Sequence, residues 1–461
     1  MTPSSVARFM ANMFTADQLH SCRLLDAGAG VGALSCAFLD RWIANGFGFH
    51  DVEATAYEID DTMRERLTQH LANYTNARAK IIAGDYIEIA TAENLQTKGY
   101  THAILNPPYK KISSKSPHRL ALRSVGIETG NLYSAFVALA VAQAAPGGQV
   151  VAIIPRSFCN GPYYRPFRDF ILDRAAIHHM HLFKARNKAF KADEVLQENV
   201  IIRLERGGQQ RMVTITTSTD DSFTDLVTGE HPFDRIVFPD DPGRFIHVPT
   251  TTEKSTIELS PAVRYTLADL GINVSTGPVV DFRLKEYLRD MPEDDTVPLL
   301  YPGHLRSNGT VWPVSGLKKP NAIVRNDLTE KWFYPNGFYC AVRRFSSKEE
   351  KRRVVASVVD PSDFGDHTVL GFENHLNLFH ENKHGLPELL ARGLAVFLNT
   401  TAVDESFRRF NGHTQVNATD LKGMKYPSRV ALVGLGKWAK QQSEVTQDMI
   451  DGRGTVDIFV S

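Results

Sequence analysis

Residues 21–43 read SCRLLDAGAGVGALSCAFLDRWI. SCRLLDAG has the apolar pattern of a strand, and ALSCAFLDRWI that of an amphipathic helix. Between them runs Asp26-Ala27-Gly28-Ala29-Gly30-Val31-Gly32. Glycines at a strand-to-helix turn let the backbone approach a ligand closely, and the helix behind them offers free N–H groups. Such a turn places a nucleotide-like ligand at the carboxyl edge of a parallel sheet. The spacing departs from GxGxxG, and a dehydrogenase would offer a similar turn.

The pattern repeats on either side. VEATAYEID (52–60) reads as a second strand, with Glu58 at its end to accept from ribose hydroxyls. DDTMRERLTQHL is its helix, AKIIAGD a third strand and THAIL (101–105) a fourth. NLYSAFVALAVAQAA reads as a strongly apolar helix, QVVAIIP as a fifth strand, and HHMHLF and ENVIIRLE as closing strands. Strands alternating with helical patterns predict an α/β Rossmann-like domain. PDDPGRFIHVPTTTEKST (239–256) breaks the pattern, so the expected domains are 1–240 and 241–461, the second of mixed α+β type.

The chain has 461 residues, too many for one ordinary core, and equal numbers of acidic and basic side chains. A neutral protein that grips phosphates must gather its positive charge on one face. The four cysteines, Cys22, Cys36, Cys159 and Cys340, have neither metal-ligand nor disulfide-framework spacing. No metal and no membrane span are expected, and free thiols point to an intracellular, cytoplasmic protein.

Asp85 ends the third strand and is followed by Tyr86. Asp85 either accepts from an exocyclic amine, with Tyr86 stacking on the adenine, or caps the following turn. The fourth strand ends at Asn106-Pro107-Pro108-Tyr109. Proline lacks an N–H and forces the preceding residue into an extended conformation, so this turn is stiff and its carbonyls are not used in a ladder. Together with the Asn106 side-chain carbonyl they grip both hydrogens of an –NH2 group. An aromatic amine is a poor nucleophile because its lone pair is delocalised. Two acceptors draw its nitrogen towards tetrahedral geometry, while Tyr109 stacks on the ring. No strong base is needed.

Thr2-Pro3, the glycine turn, Glu58, Asp85 and NPPY, in that order, resemble the gamma-class, TaqI-like DNA adenine-N6 methyltransferases of bacterial restriction–modification systems. The resemblance covers most of residues 1–205 and, more loosely, the C-terminal half. It implies a Rossmann-like catalytic domain using S-adenosyl-L-methionine (AdoMet), followed by a DNA target-recognition domain. It implies that Thr2 and Pro3 close over the methionine end of AdoMet and that Asp26 faces the methionine amine. Gly28 and Gly30 line the cofactor, Glu58 takes the ribose and Asp85 the adenine amine. Asn106, Pro107 and Tyr109 hold the target base. An aromatic residue packs on the base's other face: Phe190, with Phe183 as second choice.

The implied substrate is double-stranded DNA with the target adenine flipped out. Phosphate contacts are expected from Lys110, Lys111, Lys115, His118, Arg119 and Arg123, from Lys184, Arg186, Lys188 and Lys191 around Phe190, and from Arg343, Arg344, Lys348, Lys351, Arg352 and Arg353. Arg408, Arg409, Asn411, His413, Gln415 and Asn417 carry the side-chain types that read base edges. The expected activity is a site-specific adenine methyltransferase, acting as a monomer and protecting host DNA from a companion restriction endonuclease. Methylation of RNA or of a protein amide, and DNA binding without catalysis, are the alternatives. The C-terminal half, residues 241–461, argues for DNA, and the intact Asp26, Glu58 and Asn106 set argues for catalysis.

Overall fold

A computed structural model describes residues 2–16, 19–93, 99–184, 198–239, 241–250, 257, 260–307, 309–346, 350–411 and 414–454. The chain divides into two compact units, Met1–Thr252 and Glu253–Ser461.

The first unit is an α/β sandwich. Its elements are α1 (Ser4–Met13), β1 (Ser21–Ala27), α2 (Ala33–Ile43), β2 (Asp51–Glu58), α3 (Asp61–Leu71), β3 (Ala77–Ala83), α4 (Tyr86–Ala92), β4 (Tyr100–Leu105), α5 (Pro117–Ser124), α6 (Leu132–Gln143), β5 (Ala144–Pro155), α7 (Arg165–Arg174), β6 (Ala175–Phe183), β7 (Asn199–Arg206), β8 (Val213–Ser218) and β9 (Val227–His231). Among the described residues the sheet order is β3-β2-β1-β4-β5-β7-β6-β8-β9. β1 to β5 pair in parallel, and β7 runs antiparallel to both β5 and β6. β8 and β9, in Thr-rich sequence, extend the sheet beyond the strands expected from the pattern.

Alternation along the strands supplies two cores. One face, with Leu24, Val52, Ala54, Ile104 and Ile153, packs against Val6 and Met10 of α1, Leu34 and Phe38 of α2 and Leu67 of α3. The other, with Leu25, Ala103, Leu105, Ala152 and Ile202, packs against α4, α6 and α7. α6 is apolar all round and buried along nearly its whole length, as a helix without a polar face must be. The strand order reverses between β1 and β4, so their connections leave in opposite directions and open a crevice at the carboxyl ends.

Residues 241–250, placed by the sequence pattern beyond the break at 240, pack on this first unit. The Ile246 N–H donates to the Cys159 carbonyl at 2.8 Å, and Arg168 Nη2 donates to the Gly243 carbonyl at 2.8 Å. Ile246 and Val248 fill the core, which moves the division to 252.

The second unit is mixed α+β. One antiparallel sheet orders Asn273–Thr276, Leu376–His380, Tyr339–Arg343 and Ala356–Val359. Another centres on Thr296–Leu300, flanked by Ala322–Val324 and Val369–Phe372. Helices Glu388–Leu398 and Arg429–Lys440 cross at two glycines. A Cβ on Gly393 would lie 1.8 Å from the Leu432 carbonyl, and one on Gly436 would lie 1.8 Å from that of Leu389. Among the described residues no helix is long and apolar enough to cross a membrane, and no cluster of His, Cys, Asp or Glu has the arrangement of a metal site.

Candidate active site

The crevice is built from the ends of β1, β2, β3 and β4. Gly28, Gly30 and Gly32 have φ of +74°, +57° and +88°. At Gly30 a Cβ would meet nothing within 4 Å, so glycine is required there by the backbone angle rather than by space. The N–H groups of Gly28 and Ala29 both donate to the Tyr57 carbonyl, each at 2.9 Å, tying the turn to β2.

Asp26 ends β1 and is 1% exposed. Its Oδ2 accepts from the Ser35 hydroxyl at 2.6 Å and the Ser35 N–H at 3.2 Å. Its Oδ1 is buried without a hydrogen-bond partner among the described residues. Burial pushes the carboxyl up to about 7, against the opposing pull of the Ser35 bonds. Glu58 Oε2 accepts from the Gly30 N–H at 2.7 Å and Oε1 from the Asp60 N–H at 2.9 Å. Next to it Ile59 presents an apolar side chain that is 64% exposed.

Asp85 engages both its oxygens. Oδ1 caps α4 by accepting from the N–H groups of Ile87 at 2.8 Å and Glu88 at 3.1 Å. Oδ2 faces His118 Nε2 of α5 at 3.1 Å. Capping therefore uses one oxygen, and the other meets His118. Tyr86 does not follow Asp85 into the site. Its ring is 2% exposed, packs on Tyr57 and Phe136 at 5.0 Å each, and its hydroxyl donates to Gln143 Oε1 at 2.8 Å. The contact with α6 turns it into the core, away from the adenine-stacking position expected of it.

At the end of β4, Asn106 Nδ2 donates to Thr2 Oγ1 at 2.9 Å. The Tyr109 hydroxyl lies 3.3 Å from Asn106 Oδ1 and 3.2 Å from the Ile153 carbonyl. The Tyr109 ring meets Tyr133 edge-on at 6.2 Å. Pro107 is buried and Pro108 exposed. Pro3 starts α1, its carbonyl accepting from the Ala7 N–H at 2.9 Å. Beyond the turn, the Leu132 N–H donates to the Lys110 carbonyl at 2.8 Å and the Ile112 N–H to the Gly130 carbonyl at 2.7 Å. Thus the structure brings Thr2, Asp26, Glu58, Asp85, Asn106 and Tyr109 to one sheet edge. Phe190 lies outside the described residues. Phe183 is 7% exposed and packed edge-on against His181 at 4.7 Å, a core position.

The basic residues separate into two groups. Lys110, Lys111 and Lys115 are exposed beside the turn. Arg119 and Arg123 both pair with Glu128, Arg123 Nε at 2.6 Å. Arg186, Lys188, Lys191, Lys348 and His413 lie outside the described residues. In the second unit Arg353 is 1% exposed, its Nε donating to Ser346 Oγ at 3.0 Å and Nη2 to Asn411 Oδ1 at 2.8 Å. Asn411 is equally buried, and Asn417 caps its helix together with Asp420. Arg353, Asn411 and Asn417, expected on a DNA-facing surface, hold the unit together instead.

Ser35 was not singled out by the sequence, and His118, expected on phosphate, faces Asp85 instead. Ser35, nine positions after Asp26 in the first turn of α2, carries a readable signal. His118 depends on how α5 packs on α4 and carries none.

Residues 33–190 match the family model of the Eco57I restriction-modification methylases. The chain is 53% identical to the type II methyltransferase M.BsuBI of Bacillus subtilis, over 98% of its own length and 92% of the relative's. It is 45% identical to the type II methyltransferase M.PstI of Providencia stuartii, over 94% and 87%. The solved type IIL restriction-modification enzyme MmeI in complex with DNA shares the fold at a TM-score of 0.53 and 11% identity, over 91% of this chain and 64% of that one. With the strand reversal, the glycine turn and NPPY at one sheet edge, these likenesses decide the family: the chain belongs to the type II methyltransferases of restriction–modification systems.

Proposed function

We propose that this DNA methyltransferase transfers a methyl group to N6 of an adenine flipped out of double-stranded DNA. The observation that carries the reading is the placement of Asn106 beside Thr2 at the strand reversal where Asp26 also ends. Residues 1–252 are the catalytic unit. Residues 253–461 recognise the target sequence. The enzyme acts as a monomer in the bacterial cytoplasm and protects host DNA from a partner endonuclease.

The cofactor is AdoMet, and the residues present fit it. Asp26 Oδ1, buried and without a partner among the described residues, suits the methionine ammonium. Glu58 is an acceptor for ribose hydroxyls, Asp85 Oδ2 for the adenine amine, and Ile59 offers apolar surface beside them. Gly28 and Gly30 keep the turn open to close approach. When bound, AdoMet supplies a methyl group on a positively charged sulfur.

The chain's own part is to prepare the amine. Asn106 Oδ1 and the turn carbonyls accept both amine hydrogens, and these bonds strengthen as the nitrogen becomes cationic. Thr2 fixes the amide by accepting from Nδ2, which leaves Oδ1 for the base. Tyr109 stacks on the base. Unstacking costs a few kcal/mol, offset by the pocket and by phosphate contacts from Lys110, Lys111 and Lys115.

Expression in a methylation-deficient bacterial host, followed by sequencing that detects modified bases, tests the reading. N6-methyladenine at one recurring sequence is expected. Methylcytosine, or an unmodified genome from folded protein that binds AdoMet, would overturn it.

A further inference from the structure

Thr2 reaches Asn106 only if α1 is held in place, and the hold is built from the sheet extension that the sequence pattern did not show. Ser5 Oγ donates to Asp221 Oδ2 at 3.1 Å. The Phe9 ring lies flat on Phe223, with centroids 4.2 Å apart and 4° between planes. His181 of β6 closes a third side, 4.6 Å from Phe9 and 5.3 Å from Phe223. It is fully buried and bonded to Thr216 Oγ1 at 2.9 Å and Ser218 Oγ at 3.2 Å. Burial lowers its pKa to about 3, so it packs as a neutral ring.

Phe223 sits in the connection between β8 and β9 with φ of +56°, an uncommon conformation for a bulky residue. The connection is stiffened by its own carboxylates. Asp225 accepts from the Thr219 N–H at 2.8 Å and hydroxyl at 2.5 Å, and Asp220 Oδ1 accepts from the Ser222 N–H at 3.1 Å and hydroxyl at 2.6 Å. At the other end of α1, Arg41 Nη1 donates to the carbonyls of Ala11 at 2.5 Å and Phe14 at 2.9 Å. A simple turn between two strands needs neither a left-handed phenylalanine nor a carboxylate on Ser5. Both features act on α1.

We propose that Phe223, with Asp221, is a positioning residue for AdoMet: it holds α1 so that Thr2 stays on Asn106 and the N-terminal segment closes over the cofactor. This rests on the reading of Thr2 and Pro3 as the segment at the methionine end. Strain held in one loop residue is thereby used to order a segment that is distant in sequence.

The test is a calorimetric double-mutant cycle for AdoMet binding with wild type, Phe223→Ala, Thr2→Ala and the double variant. Phe223→Ala should raise the AdoMet Kd about tenfold, and the double variant should bind no more weakly than the weaker single one. Phe223→Tyr, which keeps the ring, should return to within about threefold of wild type. Should Phe223→Ala fail to fold, Ser5→Ala and Asp221→Ala decide, each with an expected rise of about threefold. A folded Phe223→Ala protein with wild-type affinity overturns the proposal. So do fully additive losses, or a Thr2→Ala variant with wild-type affinity. If the wild-type protein itself does not bind AdoMet, the cofactor reading falls and the positioning role with it; if only the positioning role fails, wild type binds AdoMet and Phe223→Ala binds it equally well.

Discussion

Asn106 Nδ2 lies 2.9 Å from Thr2 Oγ1, a hydrogen bond spanning 104 positions in the chain. The other end of the same amide is held less firmly, with the Tyr109 hydroxyl 3.3 Å from Oδ1. Hydroxyl bonds to oxygen usually measure ~2.7–2.8 Å. The amide is therefore anchored through its nitrogen and has acceptor capacity to spare on its oxygen.

Asn106→Ala should lower single-turnover methyl transfer by about 10²–10³-fold, the range found when one preorganised polar group is removed from a reacting centre. AdoMet affinity should fall by about tenfold at most, the loss expected when Thr2 is freed, because Asp26, Glu58 and Asp85 are untouched. Radiolabelled methyl transfer and calorimetry measure the two effects separately. Undiminished transfer would remove Asn106 from the mechanism.

Asp26 makes the ligand-free enzyme pH-sensitive. Its folded pKa of about 7 lies above the ordinary 3.8, so between these values the folded chain holds a proton that the unfolded chain has lost. Asp26's contribution to stability is therefore fully present below about pH 4 and declines as pH rises towards about 7. A cation at Oδ1 needs the carboxylate, so AdoMet affinity should rise about tenfold per pH unit up to about 7 and then level off. Calorimetry from pH 5.5 to 8.5 measures this. Asp26→Asn should bind weakly with a flat profile, and an unchanged slope in that variant would assign the titration to another group.

Two basic residues that look alike in the sequence should behave in opposite ways. Lys111→Ala should leave thermal stability unchanged and reduce the salt dependence of DNA binding by about one counterion. Arg353→Ala should leave that slope unchanged in whatever protein folds, while costing on the order of 3 kcal/mol through the lost buried bonds to Ser346 and Asn411 and lost packing. Salt titrations and urea unfolding distinguish them.

Gly393→Ala should destabilise the second unit by about 3 kcal/mol or more, because the added methyl would sit 1.8 Å from the Leu432 carbonyl of the neighbouring helix backbone. Urea unfolding measures the loss. A change of under about 0.5 kcal/mol would mean that the helices separate at little cost.

What the sequence made legible was local. The strand, glycine turn and helix of residues 21–43 are set by apolar spacing and by backbone angles that only glycine adopts freely, and NPPY by proline's missing donor. Tyr86 was not legible, because its direction is decided by Gln143 on α6, 57 positions away. Asn411 and Arg353 read as DNA-facing because their composition is that of base and phosphate readers, yet each is the other's partner in the interior. The short Thr-rich strands β8 and β9 carry too little apolar periodicity to stand out, although their connection reaches α1. Gly393 and Gly436 announce nothing until the two helices are seen to cross.

The bonds from Leu132 to Lys110 and from Ile112 to Gly130 have a mechanical consequence. The chain leaves the NPPY turn and returns almost to its point of departure, so residues 113–129 form an excursion with both feet bolted to the same place. Pulling, lengthening or recolouring that excursion with charge transmits little leverage to Asn106. Towards the cofactor end, His118 of this excursion meets Asp85 at 3.1 Å and Glu88 at 3.9 Å. An excursion of this kind is free to change at its exposed positions, provided that it keeps Leu122 and Ile127 in the core and His118 within reach of Asp85.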